Sequence, residues 1–341
     1  MHTMATHIVK IGAVLRTLAV TTLLAAAAVG SAAQAQTAGG PPKDRIFLTI
    51  NSGPQGSGWY VVSGLIAEQI EKTFPNARVT NTPGQPVANT RAVDGKRADM
   101  GTEFGWLALN ALEGTKPYKK PVHNVAAISG LYPTHFQLFA RADSGIKSYA
   151  DLANKRIAVG TAGTSGDRMT QRILAFYGLN YDKIRSNGGS VSFSAYNDAK
   201  QLMSDGHLDA FTISSTKPNT QAVELQLTQD IRLIPLEEKI VDQYVKKFRG
   251  FGKSRIAAGT YKNQPQAVWA ISVPALLTVR KDLPENMVYW ITKAWWDHAG
   301  QIGKAYSMVK DDMVANVALK DLVVPLHPGS ARYFKEIGVL K

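Results

Sequence analysis

The 341-residue chain contains no cysteine. Disulfides, thiolate nucleophiles and cysteine metal sites are therefore excluded, and so is a lipid carried on an N-terminal cysteine. Acidic residues are missing from the first 43 positions; Asp44 is the first. Long apolar runs are missing too. Leu18–Val29 falls short of the ~20 residues a spanning helix needs, and no later segment is long enough either. Histidine is sparse and scattered, at positions 2, 7, 123, 135, 207, 298 and 327, and no pair has a zinc-helix spacing.

What the N-terminus does hold is a basic start, Lys10 and Arg16, then the short apolar run, then Ala33-Gln34-Ala35. That is the pattern of a secretory signal cleaved after Ala35. The expectation is an exported, non-lipidated protein of the periplasm. The formal charge of +13 falls to +11 once Lys10 and Arg16 leave. The remaining Lys and Arg are dispersed, with no basic stripe or nucleic-acid module. About 305 residues remain, enough for two domains.

Two junctions dominate this remainder. In the first, the strand-like Phe47–Ile50 leads through Ser52-Gly53-Pro54-Gln55-Gly56-Ser57-Gly58 to an apolar helical pattern from Trp59. In the second, Arg156–Val159 leads through Gly160-Thr161-Ala162-Gly163-Thr164-Ser165-Gly166 to a helix from Asp167. Each sets hydroxyls and free backbone N–H groups at a helix N-terminus, where an anionic or strongly polar ligand is favoured.

The element order also repeats. Val62, Leu65, Ile66, Ile70 and Phe74 keep helical spacing. "DGKRADMG" at 94–101 echoes "DGHLDAF" at 205–211, each before a strand. These repeats predict two similar α/β lobes, each with a largely parallel sheet. The crossing is expected between the strands Val125–Leu131 and Phe136–Arg141, and the return within Ala267–Val279, which Pro274 breaks. The expected division is residues 1–35 as signal, 36–131 plus 270–341 as one lobe, and 132–269 as the other. Asn197 is expected to cap one helix, and Asp282 with Glu285 to form a capping box on another.

Catalytic motifs are absent. Gly163-Thr164-Ser165-Gly166-Asp167 has Asp167 where a hydrolase elbow needs glycine. The first loop lacks the Lys-Ser/Thr ending of a phosphate-binding loop and is not G-x-G-x-x-G. Polar recognition remains, at the carboxyl ends of strands. The candidate ligand residues are Gly56, Ser57, Trp59 and Tyr60; Asn89 and Glu103; Thr161, Thr164, Ser165, Gly166 and Asp167; and Ser214, Ser215 and Thr216. Trp59 and Tyr60 are expected to give the cleft an apolar wall, Trp59 being the better candidate because the Tyr60 hydroxyl can anchor the loop instead. Arg91, Arg141 and Arg168 are possible helpers. No catalytic residue, metal or cofactor is expected.

Taken together, "SGPQGSGWY", "VANTRAVDGKRADMG", "FARADSGIKSYADLANKRIAVGTAGTSGD", "GHLDAF", "IAAGTY", "PALLTVRKDLPENMVYWITKAWWDH" and "PLHPGSARYF" resemble the TAXI-type solute-binding proteins of tripartite ATP-independent periplasmic (TRAP) transporters. The resemblance covers nearly all of the chain after the signal. It departs at Pro86, where the family commonly has serine, leaving Asn89 as the polar candidate of that helix. The resemblance implies a two-lobed, type-II-like binding protein. Such a monomer closes on a glutamate-like amino acid or a dicarboxylate and delivers it to a membrane permease. A sensor feeding a membrane histidine kinase is the alternative, and a periplasmic hydrolase or lyase a more distant one.

Overall fold

The computed structural model describes residues 40–341 except Gly56 and Asp321. The expected signal and its cleavage site lie outside the described residues, as does the candidate Gly56. Among the described residues no helix is long and apolar enough to cross a membrane.

Two mixed sheets organise the chain. The first contains β1 (Ile46–Asn51), β2 (Ala77–Thr82), β3 (Met100–Phe104), β4 (Val125–Gly130) and β12 (Ala275–Arg280). Its order is β2-β1-β3-β12-β4. The second contains β5 (Thr134–Arg141), β6 (Arg156–Ala158), β7 (Ser190–Ser192), β8 (Ala210–Ser215), β9 (Ile231–Ile234), β10 (Gly252–Ile256) and β11 (Val268–Val273). Its order is β10-β11-β5-β8-β6-β7, with β9 added on β5. Parallel pairing occurs within the two repeats, β1 with β2 and β3, and β6 with β7 and β8. The strands that carry the chain between sheets pair antiparallel, as β12 does with β3 and β4 and β5 does with β8. The chain passes from β4 to β5 through Leu131-Tyr132-Pro133 and returns across the break at Pro274.

The repeated Asp has one job in both repeats. Asp99 accepts the Thr49 N–H through Oδ2 at 2.9 Å, and its own N–H donates to Thr49 O at 3.1 Å. Asp209 does the same for Arg156, at 2.8 Å in both directions. Each carboxylate thus fastens the start of one strand to its neighbour. Arg156 also meets Asp209 with a guanidinium nitrogen at 2.6 Å. Burial of Asp209 works against ionisation, but these bonds hold its carboxyl below the usual range.

The helix Gly58–Thr73 buries Val62, Ile66 and Ile70, a four-residue spacing that lays one stripe on the first sheet. Each such side chain contributes roughly 1.5–3 kcal/mol on burial. Trp295 and Trp296 also lie in that core, and Trp296 Nε1 donates to Ser129 Oγ at 3.1 Å. The second sheet has its own core around Phe136, Leu138, Ile157 and Ile173. The helix Gly105–Glu113 follows β3, yet its Trp106 and Leu107 pack in this second core. Gly105 N donates to Pro274 O at 2.8 Å, and Trp106 stacks on Phe251 at 6.0 Å. Lys43–Lys341 accordingly hold together as one compact unit.

Two expected caps are absent. Asn197 is the second residue of the helix Tyr196–Ser204, whose N-cap is Ala195; its Oδ1 accepts from Gln221 instead. The helix Glu285–Trp296 is preceded by Pro284, which has no side-chain donor or acceptor. Asp282 meets Asn124, Lys96 and Arg280 instead of capping that helix. In both places a tertiary polar partner outcompetes the local cap.

Candidate functional site

The two loops of small residues meet at a cavity of ≈ 680 Å³. Its first wall comes from β3 and the starts of three helices. Ser57 is the N-cap of Gly58–Thr73, and its Oγ accepts the Tyr60 N–H at 3.3 Å. Glycine at 58 follows from crowding. A Cβ there would stand 2.6 Å from the Tyr132 hydroxyl and 2.8 Å from that of Tyr306. Trp59 packs against Phe104 with ring centroids 4.6 Å apart, and both line the cavity. Pro86 and Val87 at the start of Pro86–Asp94, and Trp106 and Leu107, extend this apolar surface.

The opposite wall is polar. Gly163 has φ +78°, the left-handed region that glycine occupies without strain. Its N–H donates to Asp167 Oδ2 at 2.8 Å, and its carbonyl accepts from Arg168 Nε at 2.9 Å. Thr164 Oγ1 donates to Thr161 O at 2.6 Å. Ser165 Oγ has only the Met169 sulfur, at 3.7 Å. Ser214, Ser215 and Thr216 reach the cavity from the end of β8. Tyr196 OH accepts the Ser214 N–H at 3.2 Å, and Ser214 Oγ lies 3.0 Å from Thr134 Oγ1.

Half of the sequence candidates line this cavity: Ser57, Trp59, Thr164, Ser165, Ser214, Ser215 and Thr216. The others do not. Tyr60 does not join the apolar wall; its backbone carbonyl accepts from Asn81 Nδ2 at 2.9 Å. Asn89 is buried and ties two strand ends together, donating to Ser52 O at 2.9 Å and Thr102 O at 3.0 Å. Thr161 accepts from Thr164, and Gly166 lies within the helix Ser165–Phe176. Asp167 is buried among Gly163 N, Gln171 and Tyr181. Of the candidate arginines, Arg168 lines the cavity. Arg91 donates to Pro117 O, and Arg141 pairs with Asp143.

Glu103 turns inward. It is fully buried, with Oε2 accepting from Thr90 Oγ1 at 2.7 Å and Tyr118 OH at 2.8 Å. Its Oε1 accepts the Phe104 N–H at 2.8 Å. Burial outweighs these three bonds and pushes its carboxyl up to about 7.

Sequence reasoning missed Tyr132, Tyr196 and Tyr306, whose side chains reach the cavity from separate parts of the chain. Burial holds the Tyr132 hydroxyl far above its ordinary value, and Tyr306 and Asp312 add to the shift. It remains a neutral donor at any working pH. Glycine at 58 was a sequence signal for Tyr132 and Tyr306, and glycine at 166, where a Cβ would stand 3.0 Å from the Tyr196 hydroxyl, was one for Tyr196.

The NMT1-like family model matches residues 50–338, which includes both walls of the cavity. The chain belongs to the NMT1-like family. The arrangement of this NMT1-like chain is similar to PhnD1 from Prochlorococcus marinus in complex with methylphosphonate, with a TM-score of 0.52 at 12% identity. That match covers 87% of this chain and 100% of PhnD1. The periplasmic aliphatic sulphonate-binding protein SsuA from Escherichia coli aligns at a TM-score of 0.49 and 14% identity, over 86% of this chain and 84% of SsuA. The L-cystine solute receptor of Neisseria gonorrhoeae aligns at 0.42 and 11%, over 82% and 97%. At 12% identity the likeness to PhnD1 speaks to the fold alone. It is the two-sheet α/β arrangement of periplasmic binding proteins.

Proposed function

We propose that this NMT1-like protein is a periplasmic solute receptor. It captures a small organic anion in the 680 Å³ cavity and delivers it to a membrane permease. One observation carries the reading: the cavity touches elements of both sheets, and Arg168 is the single charged side chain among its described lining residues. A half-buried guanidinium beside hydroxyls suits an oxyanion. The same lining contains no His, Asp, Glu or Lys to serve as a general base, which favours binding over turnover.

In this reading the halves are 43–131 plus 274–341 and 132–273, the return falling at Pro274 and not at 270 because β11 lies wholly in the second sheet, and the sequence resemblance supports a TRAP-type permease as the recipient. The hinges are the two crossings, at Leu131-Tyr132-Pro133 and at Pro274. Polar groups on one lobe and apolar groups on the other engage one ligand together only when the cleft is shut. The ligand therefore binds the closed form more tightly, and that difference shifts the population. The test is mass spectrometry of small molecules released when the purified protein is denatured, with a thermal-shift screen of organic acids. A released organic acid, or a rise in melting temperature with one, supports the reading. A protein that releases none and responds to none refutes it.

A further inference from the structure

We infer that the cavity selects a monoanionic organic acid with an apolar body and rejects α-amino acids and dicarboxylates. The inference rests on the receptor reading above and departs from the glutamate-like or dicarboxylate ligand that the sequence resemblance implies.

The two walls differ in chemistry. Trp59, Val87, Phe104, Trp106 and Leu107 make one side mainly apolar, with Ser57 and Gln85 as its polar members. Arg168, Ser165, Ser214, Ser215 and Thr216 stand on the other. A ligand spanning the cavity thus has an acid group at one end and an apolar body at the other. Arg168 uses Nε on Gly163 O, which leaves its terminal nitrogens for the acid group.

An α-amino acid would also bring an ammonium, and no described lining residue carries a negative charge to meet it. The two nearby carboxylates of the sequence candidates are committed elsewhere. Glu103 takes Thr90, Tyr118 and Phe104, and Asp167 takes Gly163, Gln171 and Tyr181. The aromatic wall is a poor cage for a cation as well, because the Arg172 guanidinium already sits over the Trp106 ring, 5.5 Å from its centroid. A dicarboxylate meets the opposite difficulty. With one acid group on Arg168, its second would find no other cation among the described lining residues and would be desolvated largely against Trp59 and Phe104. The ≈ 680 Å³ volume lies within the range of drug-sized ligands, larger than a four- or five-carbon acid fills.

The test is calorimetry with straight-chain carboxylates from acetate to decanoate, the matched alcohols, glutamate and succinate. Wild type is compared with Arg168→Gln and the near-isosteric Val87→Thr, each first shown to be folded by circular dichroism. Affinity should rise about fourfold per methylene until the cavity is full. Glutamate and succinate should bind at least tenfold more weakly than octanoate. Arg168→Gln should abolish the preference for octanoate over octanol, and Val87→Thr should weaken octanoate several-fold. Glutamate or succinate binding more tightly than every monocarboxylate overturns the inference and leaves the receptor reading standing. Undiminished acid preference in Arg168→Gln overturns the placement of the acid group. Flat titrations with every acid overturn both the inference and the receptor reading.

Discussion

Replacing Glu103 with glutamine should remove a pH dependence that the wild-type fold carries in its interior. The carboxyl is fully buried, and desolvation lifts it from an ordinary 4.5 to about 7 against three hydrogen bonds. Between those two values the folded state holds a proton that the unfolded state has lost. Stability is therefore fully present below pH 4.5, falls as pH rises through the window, and is level again above 7. At 1.36 kcal/mol per unit, the loss across the window is about 3 kcal/mol. Glutamine keeps an acceptor for the Phe104 N–H, and its amide can donate to Thr90 and Tyr118, whose hydroxyls turn to suit. It is neutral throughout. Urea denaturation of both proteins from pH 4 to pH 8 measures the difference directly, since all other titrating groups cancel. Wild type should lose about 3 kcal/mol relative to Glu103→Gln between pH 4.5 and 7. A stability difference that does not change with pH would refute the reasoning.

Two further outcomes follow from the contacts. Ser165→Ala should weaken ligand binding by roughly 1–2 kcal/mol, because its hydroxyl donates only to the weak Met169 sulfur acceptor and can turn to a ligand oxygen, whereas Thr164→Ala should act only through the loop, its proton being committed to Thr161; calorimetry separates the two. Gly329→Ala should lower the melting temperature sharply. Its Cβ would stand 2.3 Å from Glu285 O and 2.5 Å from Tyr289 N, both backbone atoms of the helix Glu285–Trp296, and overpacking of that kind costs about 1–3 kcal/mol or more.

The legible parts of the sequence were those with local causes. Helical spacing after Ser57 and the strand before it appear within a residue of the expected bounds, at Gly58–Thr73 and Ile46–Asn51. The echo of Asp99 in Asp209 was visible as a spacing, and the structure supplies its reason in the shared carboxylate-to-backbone bond. Side-chain direction was not legible. Glu103 and Phe104 are consecutive on β3 and point to opposite faces, so Phe104 reaches the cavity while its neighbour is buried. The sequence reading chose Glu103 at this strand end, whereas Phe104 is the member of the pair that lines the cavity. Pro86 lies on the mainly apolar wall, while Asn89 is consumed holding strand ends. The tyrosines escaped notice because no local pattern unites residues 132, 196 and 306. Tertiary packing alone brings them to one cavity.

The central claim is that one anion is held between two halves that close on it. Small-angle scattering tests this most directly, using the tightest carboxylate of the calorimetric series as the probe. The radius of gyration should shrink at saturating ligand in wild type and stay unchanged for Arg168→Gln at the same concentration. Identical wild-type curves with and without a carboxylate that calorimetry shows to be bound would contradict it.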